Sequence, residues 1–181
     1  MLRIILGQME VIPGRPDLNA ENMLRMIGEA SRGASMIVFP ALGLSGSHVG
    51  SNWEQQSFLR DCQEYGRRII RASENICVVF GNVALAGDGR LFDAVFVAHQ
   101  GGLLTPVGSP YPFWLRQLDD ARYFTGLRRL ATERGQTPED LQGEVVLRFD
   151  GAPVSLGRLA VGGEWPESET AGRERAGLIQ G

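Results

Sequence analysis

The sequence contains no lysine: all 18 basic residues among its 181 residues are arginine. This absence excludes every mechanism that needs a lysine side chain, including Schiff-base formation and the Walker A phosphate loop. The formal net charge is −3, whereas surfaces that bind nucleic acid carry an excess of positive charge. We therefore expect no nucleic-acid partner.

Cysteine and histidine are scarce, with two of each. Cys62 and Cys77 are too few for a disulfide framework and lack the spacing of zinc ligands, and they favour a reducing compartment. No apolar run approaches the roughly 20 residues that cross a membrane, and the apolar N-terminal run is too short for a signal peptide. We expect a cytoplasmic protein with no membrane partner, and no motif implies a cofactor or a metal.

Glycine is abundant, with 24 residues, but it follows no fixed period and so indicates many turns. The length and the hydrophobic fraction of 43% are those of one soluble globular domain. We therefore treat residues 1–181 as a single domain.

Short apolar runs predict strands separated by helices in the first half of the chain. Buried strands are predicted at 2–7, 36–39 and 76–80, the last continuing past a bend at 82–85. A cluster of strands follows, with a turn at 151–153 before the last strand. These later strands are predicted at 91–98, 102–107, 144–149 and 156–161.

Two amphipathic helices lie between the first strands. Asn19 is a candidate N-cap for the first helix, and the second is predicted at 53–71. Their apolar faces are expected to pack in the core, with Met23, Met26, Ile27 and Ala30 on the first helix and Phe58, Cys62, Tyr65 and Ile69 on the second. This order predicts an α/β fold in which two helices cover one face of a sheet. The other face would need a second layer, either a partner sheet or a partner subunit.

Several segments resemble the nitrilase (carbon–nitrogen hydrolase) superfamily, in particular the glutaminase domain of glutamine-dependent NAD synthetases. The segment 36–46, M-I-V-F-P-A-L-G-L-S-G, is similar to the V-V-F-P-E-L-x-L-T-G segment of that family. Three more segments follow in the family's order. These are L-F-D-A at 91–94, resembling L-Y-N-A; D-D-A-R-Y-F at 119–124, resembling D-E-x-R-x-F; and G-R-L-A-V-G-G-E-W-P at 157–166, resembling G-x-x-I-C-E-D-x-W-x.

The resemblance implies an α-β-β-α sandwich, incomplete at the C-terminus because the chain stops where the family continues. It also implies amide hydrolysis by a Glu base, a Lys and a Cys nucleophile. Carried over residue by residue, these positions fall on Ala41, Ser109 and Val161, none of which supplies the required group. We therefore expect a degenerate domain with a non-catalytic binding, structural or regulatory role.

The same resemblance suggests a candidate pocket, expected to hold a small amide-like ligand. Its residues are His48, Asp119, Asp120, Arg122, Glu164 and Trp165. The expected partners are a second copy of the chain or an intact member of the family. Two alternatives stay open. One is an amide hydrolase with a relocated mechanism that uses Cys62, His48 or Asp120, and the other is a fragment of a longer NAD synthetase-like protein.

Overall fold

Helices and strands alternate along the first half of the chain, and a long hairpin begins the second half. The computed structural model describes residues 1–107, 109–116 and 122–156. The strands are β1 (Ile4–Leu6), β2 (Met36–Val38), β3 (Cys77–Leu85), β4 (Leu91–His99), β5 (Gly102–Leu104), β6 (Trp114–Leu115), β7 (Val145–Phe149) and β8 (Ala152–Leu156). The helices are α1 (Pro16–Ala30), α2 (Gln56–Arg71), α3 (Leu127–Arg134) and α4 (Pro138–Leu141), with a 3₁₀ helix at Gly50–Glu54.

Six strands form the main sheet in the order β1-β2-β3-β4-β5, with β6 also paired to β4. Strands β1, β2 and β3 are parallel, whereas β3 and β4 form an antiparallel hairpin along almost their whole length. The expectation of a buried first strand is wrong, because Ile4 and Leu6 are 49% and 76% exposed. The reason is that β1 lies at the edge of the sheet.

Helices α1, α2 and α3 cover one face of this sheet. Met23, Ile27 and Ala30 of α1 are buried against β2 and β3, as the helical stripe predicts. Asn19 is not the N-cap, since α1 begins at Pro16. Asn19 instead lies within α1, and its side chain is buried. It accepts a hydrogen bond from Ile12 N and donates to the carbonyl oxygens of Ile12 and Leu44.

The second layer on the other face is supplied by this chain itself. Val145 and Leu147 of β7 pack on a cluster that contains Cys77, Val79 and Val95 of the main sheet. The turn between β7 and β8 lies at Asp150–Gly151, both with positive φ. The predicted turn at 151–153 and strand at 156–161 are therefore displaced, since β8 begins at Ala152; residues 157–161 lie outside the described part of the chain.

The described residues thus build a helix layer, a main sheet and a two-stranded hairpin, in that order. This agrees with the predicted α/β class and with three layers of the expected sandwich. Because side chains alternate along a strand, β3 presents Phe80 and Asn82 to the helices and presents Val79 and Gly81 to the side of the hairpin.

Candidate functional site

Ala41, the position expected to carry the general base, lies in a tight turn that packs on β3. The backbone of this turn is tied to β3 by hydrogen bonds from Phe39 N to Val79 O (2.8 Å) and from Leu44 N to Gly81 O (3.2 Å). A Cβ atom added at Gly81 would lie only 2.7 Å from Ala41 Cα. The residue here is therefore held against the hairpin side of the sheet, and its side chain is a methyl group.

A tryptophan occupies the space between the layers near this turn. In the sheet, Val95 pairs with both Gly81 and Trp114, so these three residues form a row across β3, β4 and β6. The Trp114 side chain is buried with Val95 and Val145, and its Nε1 donates to Gly143 O across 2.8 Å. The indole thus fills interlayer space beside the turn and ties β6 to the segment that enters β7.

A buried ion pair lies next to this row. Asp93 is 2% exposed, and its Oδ2 accepts a hydrogen bond from Arg116 Nη1 across 2.8 Å. The other oxygen, Oδ1, is buried without a hydrogen-bond partner. Burial raises the pKa of Asp93 to about 6, although the charge and the hydrogen bond of Arg116 act in the opposite direction. Asp93 is thus a carboxyl group that titrates near neutral pH on the same face as Val95.

The Ser109 hydroxyl is engaged in structural hydrogen bonds. It donates to Leu141 O across 2.9 Å and accepts from Tyr111 N across 3.2 Å. A nucleophilic serine would need a base within hydrogen-bond distance, and these two backbone groups supply none. Ser109 therefore fixes the loop before β6 to the end of α4.

Neither cysteine is placed to act as a nucleophile. Cys62 lies on the buried side of α2, and Cys77 lies at the start of β3 among the interlayer residues. Burial raises the pKa of each thiol to about 12. Since the thiolate is the reactive form, both side chains behave as small apolar core residues.

Known proteins share this architecture. No protein-family model matches the chain, but the glutamine-dependent NAD(+) synthetase of Aquifex aeolicus (strain VF5) is 29% identical over 124 residues, or 68% of this chain. The glutamine-dependent NAD+ synthetase from Acinetobacter baumannii superposes with a TM-score of 0.61 and 19% identity over 85% of the chain. An amidase from Nesterenkonia sp., described as from the nitrilase superfamily, has a TM-score of 0.59 and 19% identity over 85% of the chain. The fold is that of the nitrilase superfamily.

The resemblance seen in the sequence is therefore confirmed, both to the nitrilase superfamily and to NAD synthetases. The chain spans 22% of the Aquifex synthetase, 27% of the Acinetobacter synthetase and 54% of the Nesterenkonia amidase. One structure of that amidase shows acrylamide added at its active site cysteine.

Two of the six candidate pocket residues, His48 and Arg122, lie in the described part of the chain. His48 is exposed, with Nδ1 2.8 Å from Ser47 Oγ. Arg122 is also exposed, and its guanidinium lies over the Tyr123 ring at 5.1 Å. The remaining predicted residues lie outside the described residues: Asp119, Asp120, Val161, Glu164 and Trp165.

Sequence reasoning missed the buried Asp93–Arg116 ion pair. A charged residue inside the otherwise apolar strand 91–98 was the available signal, because a buried carboxylate normally needs a partner. Within the described ranges there is no cluster of three or more His, Cys, Asp or Glu side chains suited to a metal ion. No helix in that part of the chain is long and apolar enough to cross a membrane.

Proposed function

We propose that this chain is a degenerate nitrilase-fold domain that does not hydrolyse amides and acts by binding or as a structural partner. One observation carries the proposal: the turn seated on Gly81, where the resemblance puts the general base, presents the methyl group of Ala41. The whole of residues 1–181 is taken as one such domain.

The other two positions strengthen the proposal. Ser109 stands where the resemblance puts the lysine, and its hydroxyl already serves two backbone groups. Val161 stands where the resemblance puts the nucleophile and has no nucleophilic atom. Loss of a nucleophile from a catalytic triad costs about 10⁶ in rate, and loss of a general base costs about 10²–10⁴. Together these losses leave no cysteine-based amide hydrolysis above background.

A small amide-like ligand is the candidate that the resemblance suggests for the binding role. A partner is proposed on separate grounds. Exposed apolar side chains on the edge strand β1, at Ile4 and Leu6, favour association with a second copy or with an intact family member.

Hydrolysis by a relocated mechanism is the alternative. The burial and raised pKa of Cys62 weigh against its use as the nucleophile. In that mechanism His48 or Asp120 would have to act as the general base that activates a water molecule.

The experiment is an ammonia-release assay of the purified chain with glutamine and with acrylamide, alongside light scattering and glutamine titration by calorimetry. We expect no ammonia above the buffer control. A dimer or a larger defined assembly, or a measurable heat of glutamine binding, would support the binding or structural role. Ammonia release that persists through purification and is lost in Ser109→Ala, His48→Ala or Asp120→Ala would contradict the proposal. A monomer that binds no amide would contradict the proposed binding or structural role.

A further inference from the structure

The backbone of the edge strand β1 is open on its outer side. Its inner side faces β2, since Arg3 O accepts from Met36 N across 3.2 Å and Gly7 N donates to a carbonyl oxygen of β2 across 2.7 Å. Successive residues of a strand direct their backbone groups to opposite sides. The N–H groups of Ile4 and Leu6 therefore point away from β2, to the side where the described sheet has no further strand.

The side chains along this edge are apolar and unprotected. Ile4 and Leu6 pair with Met36 and Val38, which belong to the interlayer cluster, so both exposed side chains lie on the hairpin side of the sheet. Edge strands are commonly protected by a charge, a proline or a bulge. The strand Ile4–Leu6 contains neither a charged residue nor a proline, so its own residues do not oppose pairing with another strand.

We propose that β1 pairs antiparallel with β1 of a second copy of this chain, so that the two main sheets join across a twofold axis. The inference rests on the structural role proposed above and names a second copy as the partner. The axis passes between the two Ile5 residues. Ile4 of each copy lies opposite Leu6 of the other, and each such pair exchanges N–H···O=C hydrogen bonds. Leu6 O already accepts from Gln8 N across 3.0 Å, and its second lone pair is available for this bond.

The strand is complementary to itself in this register. Side chains that lie opposite one another share a face, so Ile4 and Leu6 of both copies form one apolar cluster on the hairpin side. On the helix side, half-buried Ile5 contacts its own counterpart. Arg3 lies opposite Gly7, so the charge meets no side chain in the other strand. An axis at Ile4 would instead set Arg3 opposite Ile5.

Self-complementarity of this kind favours a second copy over an unrelated strand, because one surface supplies both halves of a twofold interface. A pair of three-residue strands buries less surface than a standard protein interface does. We therefore expect a dimer that dissociates on dilution.

Light scattering of the full chain over a range of concentrations measures this dimer. We expect the mass to rise from 19.8 kDa to twice that value as the concentration increases. Leu6→Lys places a charge at the joined edge and should weaken the dimer by about tenfold or more. Val146→Lys places the same charge at an exposed position on β7 and should leave the dissociation constant unchanged. Urea midpoints of both variants show that they fold.

A cysteine at the axis tests the register. Two Cα atoms opposite one another at a non-hydrogen-bonded position are about 4.5 Å apart, a separation that a disulfide spans. Ile5→Cys should therefore give a disulfide-linked dimer under mild oxidation. Val146→Cys should not, and neither should the wild type, since Cys62 and Cys77 are buried.

Three results would overturn the inference. They are a wild type that stays monomeric at every concentration, a dimer that Leu6→Lys and Val146→Lys affect equally, and an Ile5→Cys variant that cross-links no faster than Val146→Cys. Each is distinguishable from failure of the proposed function. A monomer that binds glutamine retains the binding role, and a dimer formed through another surface retains the structural role.

Discussion

Replacing Asp93 by asparagine is expected to stabilise the protein at neutral pH. The Asp93 carboxyl group has a pKa of about 6 in the folded chain, against an ordinary value of 3.8. At about 1.4 kcal/mol per pKa unit, this difference corresponds to about 3 kcal/mol of unfolding free energy. The cost arises because the folded chain holds a carboxylate away from water with one oxygen unpaired.

The direction of the pH dependence follows from the raised pKa. Below pH 3.8 the carboxyl is protonated in both states, and the cost is absent. As the pH rises towards 6, the unfolded chain releases its proton first, so the free energy of unfolding falls. Asparagine resembles the protonated acid at every pH, and its Oδ1 still accepts from Arg116. The variant should therefore match the wild type to within about 1 kcal/mol at pH 4 and exceed it by about 3 kcal/mol at pH 7.5.

Urea unfolding of both proteins at a series of pH values measures this difference. Other carboxyl groups are common to the two chains, so their contributions cancel in the difference. Asp61→Asn removes an exposed carboxylate and should change stability by less than about 0.5 kcal/mol at either pH. A difference between wild type and Asp93→Asn that stays constant from pH 4 to pH 7.5 would refute the reasoning. So would a variant that is less stable than the wild type at pH 7.5.

Three further predictions concern packing and reactivity. Gly81→Ala should destabilise the fold by about 2 kcal/mol or more in urea unfolding. The reason is that the new Cβ would lie 2.4 Å from the backbone nitrogen of Leu42. The control is Gly87→Ala, whose new Cβ meets nothing within 4 Å and which should cost less than about 1 kcal/mol. Cys62 and Cys77 should resist a thiol reagent at pH 8 in the native protein and react fully in denaturant; rapid native labelling would contradict their burial. Ser109→Ala should lose about 1–2 kcal/mol in urea unfolding through its two hydrogen bonds, and an unchanged midpoint would show that they contribute little.

Much of the fold could be predicted because it depends on local periodicity. The stripe that begins at Met23 and the runs that become β2 and β3 are buried as expected, since a helix or strand must place one apolar face on the core. The end of the chain was harder. The turn at Asp150–Gly151 precedes the predicted one, because two adjacent residues with positive φ, rather than the proline at 153, set the hairpin.

The site was predicted only as a set of positions. Resemblance to the family's motifs identified Ala41 and Ser109. The structure adds their neighbours: Gly81 packs against Ala41, and the carbonyl oxygen of Leu141 accepts a hydrogen bond from Ser109. The burial of Asp93 beside Arg116 depends on the register of β4 with β6 and on the end of β6, which no local pattern encodes.

The sequence by itself determined which chemistry the chain lacks. A chain without lysine cannot use one in any conformation, and Val161 cannot attack a carbonyl carbon wherever it lies. The tertiary structure decided which of the remaining groups matter. Burial and hydrogen bonding depend on contacts between residues far apart in sequence. Those contacts bury Cys62 and raise the pKa of its thiol, raise the pKa of Asp93 and leave the oxygen of Asn82 without a donor.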